Sequence, residues 1–342
     1  MSCLPALRSR AHSPAGLPRR ALRRALLWAL VRAGTALLAA PAVLGAGPVQ
    51  AQAVPLSTPL VVRDDRGVEH RFVAPPQRIV SLMPSLTETV GALGGAGKLV
   101  GVDRYSAWPP EVARLPRLGA LEDAQIEAIA RLKPDVVLAS TAARSLDRMD
   151  ALGFRVVRLQ SDTHADLRRT LGLVATLLGT PEAGEAAWVA LQSRIDAAAA
   201  RVPAAMRGQR VYFELGGGPW AAGGGSFIGE TLARLGLQNI VPPELGPFPK
   251  LNPEFVVRAR PQVILGTQRE QAALLARPGW QAVPAVAQRQ VCGFDSAAYD
   301  VLVRPGPRLG EAADLLADCL VRLASRPSVR PDSTIHATES RP

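Results

Sequence analysis

Five aromatic side chains stand where a ligand could be gripped: Tyr105, Trp108, Trp220, Phe248 and Tyr299. Tyr105 and Trp108 share the string Asp103-Arg-Tyr-Ser-Ala-Trp-Pro-Pro110, Trp220 follows a glycine run, and Phe248 lies between two prolines. Rings offer flat apolar area, and neighbouring prolines restrict the backbone, so covering such a ring costs little entropy. The bland alternative is that the rings cap hydrophobic cores. Asp295 and Arg308 could meet the polar edges of such a ligand. Chemistry of this kind is recognition, not turnover.

Two acids recur together with their surroundings. Glu127 precedes Arg131, Pro134, Val136 and Leu138; Glu254 precedes Arg258, Pro261, Val263 and Leu265 at the same offsets. A second pair agrees: Glu88-Thr89 with Leu93-Gly94, and Glu230-Thr231 with Leu235-Gly236. The copies lie 127 and 142 residues apart, too far for a solenoid repeat of about 20–50 residues. They imply two similar α/β lobes, and a cleft between lobes is a common small-ligand site. Glu127 and Glu254 would each sit in the first turn of a helix, where an acid is favoured by the dipole and by an arginine four residues on. One such acid per lobe also suits docking onto a two-fold symmetric partner.

Motifs for catalysis are missing or out of step. The stretch from Gly91 to Lys98 resembles a phosphate loop, but its first glycine is out of register and Leu99 replaces the hydroxyl residue that would hold magnesium. The glycines at 216–218 and 223–225 do not space as Gly-x-Gly-x-x-Gly. Neither a Gly-x-Ser-x-Gly elbow nor a His-Glu-x-x-His helix occurs. His70, His164 and His336 are scattered singly and make no zinc set with the cysteines. No catalytic residue, metal site or intrinsic cofactor is therefore expected. An exported enzyme working in the cleft is the competing class.

The elements that position these residues begin after residue 53. Residues 1–53 carry seven arginines and no acid, an apolar stretch from Ala25 to Gly47, and the small residues Ala51-Gln-Ala53. That order describes a secretory signal peptide cleaved near Ala53, which places the mature chain in the periplasm. Arg32 interrupts the apolar run and argues against a membrane anchor. Removing the segment lowers the net charge from +11 to +4, with 33 basic against 29 acidic residues. So mild a positive charge gives no case for a nucleic-acid partner. Cys292 and Cys319 survive the cut; an oxidising compartment permits a disulfide, and spacing alone leaves a bridge and two thiols equally open.

Residues 54–165 read as an N-terminal lobe. Strands at 61–63 and 70–73 flank a turn at Asp64-Asp-Arg-Gly67, a hairpin signal. Strands at 78–82, 99–102, 136–139 and 155–159 alternate with helices at 125–132 and 145–152, the pattern of a parallel sheet covered on both faces. Ser85 and Glu88 space as a capping box that opens a helix. Residues 166–203 connect the lobes through a helix at 167–178 and a longer one from 182 to about 202, opened by Thr180-Pro-Glu182. The longer helix would span about 30 Å. Residues 204–325 repeat the βα pattern as a C-terminal lobe, and 326–342 read as a disordered tail. The fold class is α/β: two lobes, each with a mostly parallel sheet flanked by helices, joined by one long backbone helix.

On these residues the chain resembles the periplasmic substrate-binding proteins of ABC importers for vitamin B12, haem and ferric siderophores, receptors with a helical backbone. The strings Arg78-Ile-Val-Ser-Leu-Met-Pro-Ser-Leu-Thr-Glu88, Val100-Gly-Val-Asp-Arg-Tyr-Ser-Ala-Trp-Pro-Pro110 and Leu132-Lys-Pro-Asp-Val-Val-Leu138 carry the likeness, which spans residues 60–324. The resemblance implies a monomer that holds cobalamin or a similar metal-chelate cofactor between two lobes, with haem or a ferric siderophore as the alternative. It further implies delivery to the permease dimer of an ABC importer in the inner membrane. It assigns Tyr105 and Phe248 to the pocket, and Glu127 and Glu254 to docking on permease arginines. Leu121 and Ser140-Thr141 stand where the cobalamin branch carries tryptophans. One cysteine of that branch's disulfide aligns near Leu235, so Cys319 lacks that partner.

Overall fold

Alternating strand residues bury both faces of each sheet. The computed structural model describes residues 59–326; the expected signal peptide and the tail beyond Arg326 lie outside the described residues. The chain opens with a hairpin, β1 (Leu60–Arg63) and β2 (Glu69–Phe72), paired antiparallel through a turn in which Gly67 has a φ of +82°. The N-terminal lobe then runs β3 (Ile79–Ser81), α1 (Pro84–Ala92), β4 (Leu99–Val102), α2 (Ile126–Arg131), β5 (Val136–Ser140), α3 (Asp147–Ala151) and β6 (Val156–Leu159). Two helices follow, α4 (His164–Leu178) and α5 (Pro181–Arg201). The C-terminal lobe comprises β7 (Arg210–Leu215), β8 (Trp220–Ala221), α6 (Phe227–Arg234), β9 (Gln238–Asn239), α7 (Pro253–Ala259), β10 (Val263–Thr267), α8 (Gln271–Leu275), α9 (Pro284–Ala287), β11 (Val291–Phe294), α10 (Ser296–Leu302) and α11 (Leu309–Ala324).

The two sheets share one topology. The first is ordered β4-β3-β5-β6 and the second β9-β7-β10-β11, every neighbour parallel. The C-terminal lobe adds β8, antiparallel to the end of β7. The sequence repeat survives as local geometry. Lys133 and Arg260, each before a matched proline, both take left-handed φ values, 46° and 48°. Thr89 and Thr231 both return their hydroxyls to the carbonyl four residues back, at 2.8 and 2.7 Å.

Side-chain alternation explains the layering. Val80, Val137 and Val156 face one core with Leu118, Ile129 and Met149, whereas Ile79, Val136, Leu138 and Val157 face another with Leu86, Leu167 and Leu171. Tyr212 and Ile264 likewise separate from Val211, Phe213, Val263 and Leu265. The inner cores of both lobes merge through Leu191 and Ile195 of α5 and Leu316 and Leu320 of α11. The backbone helix is thus packed into both lobes rather than strung between them.

Two helix starts differ from the sequence expectation. Ser85 and Glu88 form no capping box: Met83 is the N-cap without a side-chain bond, and Pro84 removes one of the N–H groups a cap would serve. Glu88 is 1% exposed and pairs instead with two arginines of the C-terminal lobe. A capping box does form at Thr163 and Asp166, opening α4, and Gly179 (φ +84°) closes that helix. Thr180 stands at the N-cap of α5 but makes no side-chain bond there.

Cys292 of β11 and Cys319 of α11 are joined by a disulfide, which ties the sheet to the helix stack across 27 residues. Cross-linking a loop of that size stabilises the folded state by about 3 kcal/mol. Replacing both cysteines by alanine should therefore lower the urea midpoint and make it insensitive to reductant, whereas the midpoint of the native chain should fall on reduction.

Candidate ligand site

The N-terminal wall of the cleft is the loop after β4. Asp103 is buried and accepts the backbone N–H of Tyr105 at 2.7 Å and the hydroxyl of Ser106. The Ser106 hydroxyl also lies 2.8 Å from Thr87 Oγ1 on α1. Burial pushes the Asp103 carboxyl above the usual carboxylate range against these bonds. Anchored this way, the loop leaves the Tyr105 side chain 61% exposed and Trp108 half-buried.

The C-terminal wall is built where β7, β10 and β11 end, the side of a parallel sheet on which ligands bind. A cavity of about 510 Å³ is lined there by Gly216, Gln268, Glu270, Asp295, Tyr299 and Asp300, among others. Tyr299 stacks on Phe213 with centroids 6.3 Å apart, and its hydroxyl accepts the N–H of Gly216 at 2.8 Å. Burial pushes the Tyr299 phenol up. Beneath this wall Glu214, 1% exposed, holds Arg277, whose Nη2 donates both to Glu214 Oε1 (2.8 Å) and to the Gly217 carbonyl (3.2 Å).

A second cavity of about 260 Å³ opens between the lobes. Met83, Ser140, Thr141 and Asp162 line it from one side, and Phe227, Phe248, Val303 and Pro305 from the other. Phe248 meets Phe227 edge-on with centroids 6.0 Å apart. Close by, Glu88 of α1 accepts from Arg308 Nε (3.0 Å) and Nη2 (2.9 Å) and from Arg304 Nη1 (3.0 Å).

Most of the residues singled out in the sequence converge here. Trp108 and Arg308 meet at the lobe boundary, with the guanidinium 5.7 Å from the centre of the Trp108 ring, and Arg304 reaches the Tyr105 backbone carbonyl beside them. Asp295 and Tyr299 line the larger cavity and Phe248 the smaller. Trp220 stands 50% exposed on β8 and, like Tyr105, Trp108 and Arg308, lines neither cavity. Asp295 uses one oxygen to cap α10 through the Ala298 N–H (2.9 Å), and Arg308 is engaged by Glu88. Glu127 and Glu254 lie away from the cleft, exposed in the first turns of α2 and α7. Glu254 is 4.0 Å from Arg258, while Glu127 makes no ion pair among the described residues.

Sequence reasoning missed Glu88 as a cleft residue, together with Arg304, Asp300 and Glu270. One signal was available for Glu88: an acid on a short helix whose neighbours from Ser85 to Val90 are all buried needs a counter-charge. Arg304 had no such signal, because its partners Glu88 and Tyr105 lie about two hundred residues away. Among the described residues no group of three or more His, Cys, Asp or Glu side chains could hold a metal ion.

Two parallel-sheet lobes, fixed to one helix stack and facing each other across a cleft with Phe227 and Phe248 on one side, define a two-lobed binding protein. The chain belongs to the periplasmic binding protein family, which matches residues 79–298. A vitamin B12-binding protein of Vibrio cholerae serotype O1 is 30% identical over 245 residues, covering 70% of this chain and 87% of that protein. The crystal structure of the periplasmic vitamin B12-binding protein BtuF of Vibrio cholerae superposes with a TM-score of 0.62 at 29% identity, covering 74% of this chain and 99% of that one. The periplasmic haem-binding protein RhuT from Roseiflexus sp. RS-1 superposes equally well, with a TM-score of 0.62 at 28% identity over 72% of this chain and 99% of that one.

Proposed function

We propose that this chain is a periplasmic receptor that captures cobalamin, or a similar metal-chelate cofactor, between its lobes and hands it to an inner-membrane ABC importer. The observation that carries the reading is the cavity between the lobes, lined by Met83, Ser140, Thr141 and Asp162 on one side and by Phe227 and Phe248 on the other, beside a loop whose Tyr105 backbone and Trp108 ring are contacted by Arg304 and Arg308 of the C-terminal lobe. A large, flat ligand suits such walls, because rings remove much apolar area from water at little entropic cost. The names of the relatives support the same ligand class. Among the described residues no helix is long and apolar enough to cross a membrane. The N-terminal segment fits export, and the role is binding without catalysis.

Haem is the second reading. The exposed phenol of Tyr105 makes no hydrogen bond among the described residues and could serve an iron atom. Solved relatives that bind haem support it. The experiment that separates the readings is calorimetric titration of the mature chain. Cyanocobalamin should bind saturably, and Tyr105→Ala should weaken it about tenfold or more, the scale of a truncated aromatic anchor.

A further inference from the structure

The second pair of repeated motifs has no part in the receptor reading so far, yet each copy ends on the opposite lobe. Glu88 of α1 reaches Arg304 and Arg308 of the C-terminal lobe. Glu230, its counterpart on α6, accepts the backbone N–H of His164 at the start of α4 at 2.6 Å. Two matched glutamates therefore staple the lobes at two places. The staples differ in what else they touch.

The Glu230 staple borders the smaller cavity through Phe227 and Asp162 but, among the described residues, makes no hydrogen bond to the loop of Tyr105 and Trp108. His164 Nε2 lies 3.1 Å from the Phe227 carbonyl and 2.9 Å from Thr231 Oγ1, and the Phe227 N–H donates to the Asp162 carbonyl at 2.6 Å. The Glu88 staple continues into the ligand loop. Arg304, held by Glu88 through Nη1 and by Asp300 at 2.7 Å, donates its Nη2 to the backbone carbonyl of Tyr105 at 3.2 Å. Arg308, held by Glu88 through two bonds, lies over the Trp108 ring. The backbone at Tyr105 and the ring of Trp108 are thus both contacted from the far side of the cleft by guanidinium groups. A carboxylate with 1% exposure orients those groups. A buried carboxylate between two arginines leaves each guanidinium little freedom to turn, since a rotation breaks charge-assisted bonds to a group that has no water to replace them.

We infer that Glu88 is a positioning residue for ligand capture, acting through Arg304 and Arg308 on Tyr105 and Trp108. It touches no ligand itself. This inference rests on the receptor reading for its ligand, and on the geometry alone for the placement of the Tyr105 backbone and the Trp108 ring.

The test is a double-mutant cycle with cyanocobalamin as the probe. Glu88→Gln keeps the size of the side chain and removes its charge. It should weaken binding about tenfold in the native background and much less when Tyr105 is already alanine, because the two residues act in one chain of contacts. Glu230→Gln is the matched control; its effect on affinity should not depend on Tyr105. Arg304→Lys, which keeps the charge but loses the forked geometry, should reproduce the Glu88→Gln coupling if the glutamine variant folds poorly. A ligand-free readout separates this inference from the receptor reading. The fluorescence assigned to Trp108, by difference from Trp108→Phe, should become more accessible to acrylamide in Glu88→Gln and unchanged in Glu230→Gln. Additive losses in the cycle, or equal quenching in the two glutamine variants, would overturn the proposal. Failure of the native chain to bind cyanocobalamin, with the quenching difference present, would overturn the cobalamin reading and leave the positioning role standing.

Discussion

Changing Glu127 and Glu254 together to alanine is expected to abolish ligand import while leaving ligand affinity within about twofold of the native chain, the scale of exposed substitutions away from a site. Both carboxylates stand exposed in the first turn of a helix at equivalent places in the two lobes. Neither lines a cleft cavity. The structure gives them little internal role: Glu254 lies 4.0 Å from a 73% exposed Arg258, a separation at which a surface pair contributes less than about 1 kcal/mol. An acid on each pseudo-equivalent face is the arrangement that a permease dimer with paired basic sites would read, one lobe per subunit. Each single change should leave partial import. Uptake of labelled ligand by cells carrying the variant, beside calorimetry on the purified variant, checks both halves. Undiminished uptake by the double variant would refute the docking role.

Glu214→Ala should destabilise the C-terminal lobe by about 3 kcal/mol, because it leaves both the Arg277 guanidinium and the Tyr212 hydroxyl without their buried partner. Glu214 is 1% exposed and Arg277 bonds to both its oxygens. The same carboxylate lies 3.3 Å from the Tyr212 hydroxyl; burial and the carboxylate together push that phenol well up. Truncation therefore leaves a partly exposed cation and a buried phenol without their acceptor. It also frees Arg277 from the Gly217 carbonyl and so loosens the wall of the larger cavity. A loss of that size should appear as a fall of about 10 °C in the melting midpoint, with Glu214→Gln falling less because its amide can still bond. A midpoint within a degree or two of the native value in Glu214→Ala would show that the pair contributes no net stability.

The fold was legible because period and repetition act locally. Nearly unbroken apolar runs at 136–139 and 78–82 mark buried parallel strands, and the copied Glu-Arg-Pro-Val-Leu offsets mark a second lobe with the same sheet order. The left-handed residues Lys133 and Arg260 show how far the copy extends into the backbone. The site was legible only in part. Tyr105, Trp108, Phe248 and Tyr299 could be singled out because segments with proline or glycine follow strands, yet Phe248 and Tyr299 also pack against the core, the use the sequence left open. Glu88 was read as a capping residue because a four-residue pattern carries no information about the opposite lobe. Its real partners, Arg304 and Arg308, lie more than two hundred positions away. The pairing of Cys292 with Cys319 was open for the same reason: it depends on where α11 packs against β11, which no spacing rule encodes.

The central claim is that the two lobes hold one large cofactor between them. Calorimetric titration of the mature chain, residues 54–342, first with cyanocobalamin and then with haem, tests it most directly. The account predicts saturable one-to-one binding of cyanocobalamin at sub-micromolar affinity, weakened by Tyr105→Ala. Saturation by haem alone would keep the receptor and change its ligand. Silence toward both ligands, in a chain that is folded by circular dichroism, would contradict the account.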